Sequence, residues 1–561
     1  MDDPIADAGP GGYHSHPTAL ARLAADHTLD GAERVRAAET LAFLDGHREA
    51  GAALLTRLAD DTTLFNFLRV SAAEALARVA GHREAGAARL THFADDTTGE
   101  WPKPRPRRMP KRRATTMGDG NGYARVGAAA ALTAVDGHRE AGAALLTRFA
   151  EDASLADRYR VSAAEALAGV SEHHENGAAP LTRFAENTAL DGHDRVSAAK
   201  ALAGLDTHRE TGATLLTQLA DDAAVDRKGR VWAATALAAL DGHREAGTAR
   251  LVRLAETPTA KPSKRLWRSK LWRLEAQNLT FYEDGSRVDA ASALARVDDF
   301  HDVGAALLSR LACDPTLHDN WWHLRAAEAL VELDGHRETG AALVFRLVRD
   351  TTLNSTQRLD AARKLIGVDG CQTLGATLLT GLTHDTTLTD RERTSAAGAL
   401  GAADGYREAG AELLTGLAHD TTADGYLRRC AAEELTRVDG YREAGAELLT
   451  AFADDTTLSE FNRVCAAEEL TRVDGYREAG AALLIRLAKD RTLSSSNRVS
   501  AARQLGRMDG YRREAVHLLH GLCSAVDSEY VRWVQSYMHE VKKALEEEEN
   551  RGGQTGEGHV R

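Results

Sequence analysis

The chain is poor in aromatic residues. They fill 5% of its 561 positions, and much of the 43% that is hydrophobic is alanine. A β-sandwich or barrel needs β-branched and aromatic side chains for its core, whereas many small apolar residues suit closely packed helices. Cysteine is scarce too. Cys313, Cys371, Cys430, Cys465 and Cys523 include no close pair at zinc-ligand spacing. Cys430 and Cys465 fill a slot held elsewhere by Ser71 and Ser162, which is the place of a small buried or half-buried residue. Such usage fits a reducing cytoplasm. No apolar run approaches the ~18 residues of a membrane span. Met1-Asp2-Asp3-Pro4 has neither the basic nor the apolar part of a signal peptide, so a cytoplasmic location is expected. The net charge of −13 argues against a surface that is wholly a nucleic-acid or anionic-membrane binder. Catalytic motifs are missing as well: there is no P-loop Gly-Lys-Ser/Thr, no His-Glu-x-x-His and no Gly-x-Ser-x-Gly. The expectation is therefore no catalytic residue, no metal site and no cofactor.

What the chain has is repetition. Asp45-Gly46-His47-Arg48-Glu49-Ala50-Gly51 returns around Gly81, Gly137, Gly242, Gly335, Gly405, Gly440, Gly475 and Gly510, with degenerate copies at His173, His208, His301 and Cys371. The step is 35 residues except after Thr97 and Glu256, where extra residues intervene. A fixed period of this length marks a stacked-repeat architecture, which grows lengthwise without enlarging one core.

Each unit reads as two helices. In the first, Ala50, Ala53, Leu54 and Leu58 fall at i, i+3, i+4, i+8 and predict one apolar stripe. In the second, which starts near Arg69, Ala72, Leu76 and Val79 make another. Asp60-Asp61-Thr62-Thr63 between them is suited to ending one helix and capping the next. The glycine of the Asp-Gly that follows the second helix can take the left-handed conformation that closes it. Neither stripe can be buried within one hairpin, so neighbouring units must stack.

An Asp at the end of the first helix (Asp60, Asp61, Asp221, Asp420, Asp455) and an Arg followed by Ala-Ala at the start of the second recur along the chain. That Arg is Arg34, Arg69, Arg125, Arg160, Arg195, Arg230, Arg287, Arg358, Arg393, Arg428, Arg463 or Arg498, with His323 in its place once. The pattern resembles the HEAT-like repeats, including the short kind of the phycobilin lyases, over roughly residues 14 to 523. The resemblance implies an all-α, right-handed α-solenoid of about fourteen hairpins, with these residues forming a ladder between successive units. The Asp-Gly-His/Tyr-Arg-Glu-Ala-Gly turn is peculiar to this chain. It also looks like the Gly-x-Tyr-x-x-Ala of tetratricopeptide repeats, which makes that class the second choice.

The histidines His47, His82, His138, His173, His208, His243, His301 and His336 share one repeat position, with Tyr406, Tyr441, Tyr476 and Tyr511 in it later. Packed helices stand ~10 Å apart, too far for two ligands of one metal at ~2 Å each. A ring packed over the turn is the expectation. The arginine row is read as structural and paired with acids, and Glu49 and Glu84 as complements to a helix N-terminus.

Two insertions depart from the unit, at 99–123 and 257–286, both between a first and a second helix. The first holds Trp101, Lys103, Arg105, Arg107, Arg108, Lys111, Arg112 and Arg113, which is seven positive charges with no negative one from Trp101 to Arg113. Its prolines predict an extended loop. The second holds Lys261, Lys264, Arg265, Trp267, Arg268, Lys270, Trp272 and Arg273, and Trp267, Leu271 and Leu274 at i, i+4, i+7 predict a short amphipathic helix. Both should leave one edge of the array, and insertions in repeat arrays often map to a binding face. An apolar stripe through Val531, Val534, Met538, Val541 and Leu545 predicts a helix within 527–549 that covers the last hairpin. Residues 1–13 and 550–561 are expected to be flexible or disordered.

The function expected from all this is a non-enzymatic scaffold or adaptor that binds protein partners along the second helices. A nucleic-acid or other polyanion binder acting through the two insertions is the alternative, and a HEAT-like DNA-repair or lyase-type enzyme a second one. Fold alone names none of these.

Overall fold

The computed structural model describes residues 17–26, 29–96, 120–259, 270–350, 352–523 and 534–545. Alanine and leucine make each repeat a pair of short helices, such as Arg48–Asp60 followed by Asn66–Arg78. Among the described residues every regular element is helical. The turn from one unit to the next is closed by glycine: Gly46, Gly81 and eight equivalents have φ between 78° and 89°. L-residues avoid that region, and glycine enters it without a Cβ penalty.

The helices group into two units, Met1–Gly304 and Ala305–Arg561, each an array of the same hairpin. In the first helix the buried face is Gly51, Ala52, Leu55, Leu58 and Ala59. Only Leu58 of the expected stripe is among them, while Ala50 and Ala53 are exposed. The reason is Gly51. A Cβ there would overlap the backbone N and Cα of Ala42 on the preceding second helix, so the two helices cross backbone to backbone at the glycine and the packed face is centred on it. Ala72, Leu76 and Val79 of the second helix are buried as the sequence predicts. Each fully buried leucine of these interfaces contributes about 1.5–3 kcal/mol.

The second insertion rejoins the array differently from the expectation. Lys270–Ala295 is one helix of 26 residues, about twice a normal second helix, because no proline interrupts it. Where it meets the array, Asp284 is fully buried and accepts a hydrogen bond from Thr259 (2.6 Å), and Arg227 pairs with Glu283 (3.3 Å). In the second unit, Val534 and Val541 of helix 534–545 join the core formed by the last hairpins.

Candidate partner-binding surfaces

The arginine row is the scaffold from which the surfaces are built. The Arg69 Nε donates to the Ala59 carbonyl (3.0 Å), in the last turn of its own unit's first helix. The same bond recurs at Arg195 (3.1 Å), Arg358 (2.9 Å) and Arg463 (3.1 Å). It survives both insertions, from Arg125 to Ala94 and from Arg287 to Ala255, each at 3.1 Å. His323, the one substitute, reaches the Asp314 carbonyl in the same way (2.8 Å). In several units the guanidinium then points to the next unit, whereas Arg160 and Arg393 pair with Asp157 and Asp390 of their own helix. Arg34 meets Asp61 (3.6 Å), Arg195 meets Asp222 (3.3 Å) and Arg358 meets Asp385 (2.8 Å). Each of these aspartates uses its other oxygen to hold its own turn, as Asp61 does with the Thr63 amide (2.9 Å) and hydroxyl (2.6 Å). This is the ladder that the resemblance implied, in units of two helices. The fold is a HEAT-like α-solenoid.

Within the solenoid, Asp60 and Asp221 are not ladder residues, contrary to expectation. Asp60 ends the first helix and Asp61 is already extended, so consecutive carboxylates face different ways. Asp60 accepts from the Nε and Nη2 of Arg89 (2.9 and 2.8 Å), and Asp221 takes Arg250 (2.7 Å), each from the next first helix. Several ladder guanidiniums also lie over a phenylalanine of the following unit, such as Arg69 over Phe93 (4.9 Å) and Arg428 over Phe452 (5.0 Å).

The histidines form a second row. His82 meets Glu49 at 3.1 Å, His138 meets Glu84 at 3.1 Å and His208 meets Glu175 at 3.2 Å, each reaching back one unit. Tyr406 makes the equivalent contact with Thr373 (3.2 Å). The rings thus link neighbouring turns rather than only covering their own. Among the described residues no group of three or more His, Cys, Asp or Glu could hold a metal ion. Burial pushes the Cys430 thiol up, and the Cys465 thiol up to about 11, so both stay protonated and unreactive near neutral pH.

Two surfaces remain. The first is the edge where the second helices begin in the first unit. Both insertions attach there, after the first helices Arg83–Asp95 and Arg244–Glu256. Trp101, Lys103, Arg105, Arg107, Arg108, Lys111, Arg112 and Arg113, and Lys264, Arg265, Trp267 and Arg268, lie outside the described residues. Lys270, Trp272 and Arg273 fall in the first turn of the 26-residue helix. Along the edge itself, two residues before the ladder arginine, come Phe67, Tyr123, Arg158, His193 and Lys228 in successive units. Phe67 and Tyr123 are exposed, and Phe67 stacks on exposed Phe65 (5.9 Å). Trp232 lies 4.0 Å from His193, with the Lys228 ammonium 5.0 Å from its ring centre. Sequence reasoning missed this row, although the aromatic or basic residue at a fixed offset from five successive arginines was its signal.

The second surface is the face of the second helices in the second unit. Here the helices Ser355–Ile366, Asp390–Gly401 and Gly425–Leu435 flank a cleft of ≈ 680 Å³. Its floor is Gly398, Ala399, Ala402 and Ala403. Other units carry Glu where Gly398 stands, as at Glu74 and Glu433, and Arg where Ala402 stands, as at Arg78, Arg437 and Arg472. Small residues also end the second helices at Gly169, Gly204 and Ala239, but Val170, Leu205 and Leu240 follow them, whereas Ala403 follows Ala402. A smaller cavity of ≈ 300 Å³ continues the cleft and shares Arg363 and Gly367 with it.

No family model and no curated protein matches this chain. Solved structures do. Importin beta crystallised in an ammonium sulfate condition is 13% identical, with a TM-score of 0.37 over 94% of this chain and 69% of its own. Yeast importin-beta (Kap95p) is 11% identical, with a TM-score of 0.29 over 96% of this chain and 71% of its own. The UNC-45 chaperone is 13% identical, with a TM-score of 0.24 over 96% of this chain and 64% of its own.

Proposed function

We propose that the chain is a non-enzymatic scaffold or adaptor that binds protein partners along the face of its second helices. One observation carries this reading. The ladders commit most recurring charged residues to contacts between units, yet the Asp390–Gly401 helix gives up its bulky side chains on that face and opens a cleft of ≈ 680 Å³. A structural array gains nothing from such a gap, since an unfilled site forfeits packing contacts. The test is capture of partners from native lysate with and without nuclease. Capture should survive nuclease and fall when Arg363, Glu434 and Arg437 are reversed in charge. Loss with nuclease alone, or indifference to the reversals, sinks the reading.

A second reading has its own observation: two insertions with thirteen basic residues between them attach to an edge that bears exposed aromatics. Concentrated positive charge on an acidic chain costs self-repulsion, and aromatic rings beside cations suit a polyanion with stackable bases. Replacing Arg105, Arg107, Arg108, Lys111, Arg112 and Arg113 with glutamine is expected to weaken binding to single-stranded or duplex nucleic acid and to flatten its salt dependence, because phosphate contacts release counterions. The fold is retained in this reading, as circular dichroism will report. Titrations at two salt concentrations that do not distinguish wild type from variant remove it.

A further inference from the structure

We propose that the cleft on the Asp390–Gly401 helix receives an arginine or lysine side chain from an extended segment of a partner polypeptide. The proposal rests on the reading of the second-helix face as a protein-binding surface, and it names the chemistry of what binds there.

The argument begins with what the same position holds in the next two units. Arg437 donates to Glu434 (2.6 Å) and Glu433 (2.7 Å). Arg472 donates to Glu469 (2.5 Å) and Glu468 (2.6 Å). In these two neighbouring units, therefore, the face holds a guanidinium set among carboxylates at this height. In the Asp390–Gly401 helix the arginine is replaced by Ala402 and the glutamate by Gly398, over which the Glu434 carboxylate of the next unit lies, 3.0 Å from where a Cβ would stand.

The field in the gap favours a cation. Two helices end at it, Ser355–Ile366 and Asp390–Gly401, and the last carbonyls of a helix carry about half a negative charge. The carboxylates of Asp369, Asp404 and Glu434 line it. Asp404 is exposed and only 3.7 Å from Arg407 at its nearest cation, and Asp369 accepts from Gln372 (3.3 Å). The cleft's own cations are already engaged. Arg363 donates to the Ser395 hydroxyl (2.6 Å) and faces Asp360 (3.6 Å), while Arg437 is held by its two glutamates. The lining thus holds three carboxylates to two guanidiniums that are already paired, a balance that favours an incoming guanidinium or ammonium over a phosphate.

The size of the cleft indicates a chain rather than an isolated ion. A volume of ≈ 680 Å³ lies within the ~300–1,000 Å³ of sites that enclose organic ligands. The adjoining cavity of ≈ 300 Å³ has Glu332 at the position equivalent to Ala402, two 35-residue steps before it, beside Glu328, Arg363 and Lys364. Packed helices stand ~10 Å apart and an extended chain rises ~3.3 Å per residue, so two units span ~20 Å and basic residues about six apart would reach Glu332 and the cleft.

The experiment is fluorescence anisotropy on the full chain with two labelled peptides of about ten residues. One carries two arginines six positions apart in a Gly-Ser-Ala background; the other has glutamates in their place. The arginine peptide is expected to bind at least about tenfold more tightly, an electrostatic preference that weakens with salt. Ala402→Arg puts back the residue that other units carry, on an exposed position, and should abolish binding. Ala402→Gln fills the space without charge and should weaken it. Asp369→Asn with Asp404→Asn should reduce the preference between the peptides. Gly204→Arg, the equivalent change in the other unit, should alter nothing. The proposal is overturned if the peptides bind alike or not at all, if Ala402→Arg leaves binding intact, or if spermidine competes as well as the arginine peptide does. Nuclease-resistant partner capture alongside any of these outcomes would leave the scaffold reading standing and remove only this one.

Discussion

Adding a single methyl group at Gly410 is expected to destabilise the second unit, while the same change at Gly416, six residues on in the same helix, stabilises it. In an open helix Gly→Ala gains about 1 kcal/mol, because alanine loses less backbone entropy on folding. Nothing lies within 4 Å of a Cβ at Gly416, so that gain should appear there in full. At Gly410 the Cβ would overlap the backbone N and Cα of Gly401 and come 2.9 Å from the Ala397 carbonyl. Backbone cannot rotate away as a side chain can. The crossing must open, and overpacking of this kind costs about 1–3 kcal/mol or more. Steric cost therefore outweighs propensity at Gly410, for a net loss of up to roughly 2 kcal/mol. Urea midpoints for the two variants, read by circular dichroism, check it. Shifts in the same direction would show that the glycine crossings are looser than described.

Removing the guanidinium of Arg358 should be the costliest single change in the ladder. Its Nε holds the Val348 carbonyl at 2.9 Å and its Nη2 holds Asp385 at 2.8 Å, with little of the side chain exposed. Arg358→Ala leaves a buried carbonyl without its donor and a carboxylate without its cation, which together cost about 2–4 kcal/mol. Arg437→Ala, on an exposed side chain, should cost under about 1 kcal/mol. The ladder also carries a pH dependence. The Thr387 hydroxyl and amide, and then Arg358, hold the Asp385 carboxyl below its ordinary range. Thr457 does the same for Asp455 and Thr492 for Asp490. The unfolded chain therefore takes up these protons first as the pH falls. Stability present above about pH 4 should be lost progressively below it. Because Thr387 holds the Asp385 carboxylate more strongly than Arg358 does, Arg358→Ala should lower the melting temperature at every pH and keep most of the acid slope. A melting temperature that does not change between pH 5 and pH 3 would mean that the turn aspartates contribute nothing.

The period, the hairpin, the left-handed glycine and the arginine row were all legible, because each repeats at a fixed step and so stands out from local noise. What was not legible depends on geometry between units. Ala50, Ala53 and Leu54 fit a helical stripe as well as Gly51, Ala52 and Leu55 do. Only the close approach to Ala42 decides between them, and glycine leaves no hydrophobic signal. Asp60 and Asp61 are adjacent and chemically alike, and one belongs to a helix end and the other to a turn. The histidines could be placed in one row, but their glutamates lie a whole unit away. The cleft was the hardest to see, since its evidence in the sequence is what Gly398 and Ala402 leave out. The long helix starting at Lys270 was read as a short one because its continuity with the array rests on the buried contacts of Asp284 and Arg227.

The ladder has a direction. Where it pairs across units, the guanidinium points toward the unit that follows and the turn carboxylate faces the unit before it. Cutting the array between two units of the same block would therefore leave a row-end donor on the upstream fragment and a row-end acceptor on the downstream one. The two cut faces are hook and eye, and neither can pair with a copy of itself. Fragments divided in this way have only one order in which to rejoin, which makes each boundary a natural seam for splitting the molecule and restoring it on demand.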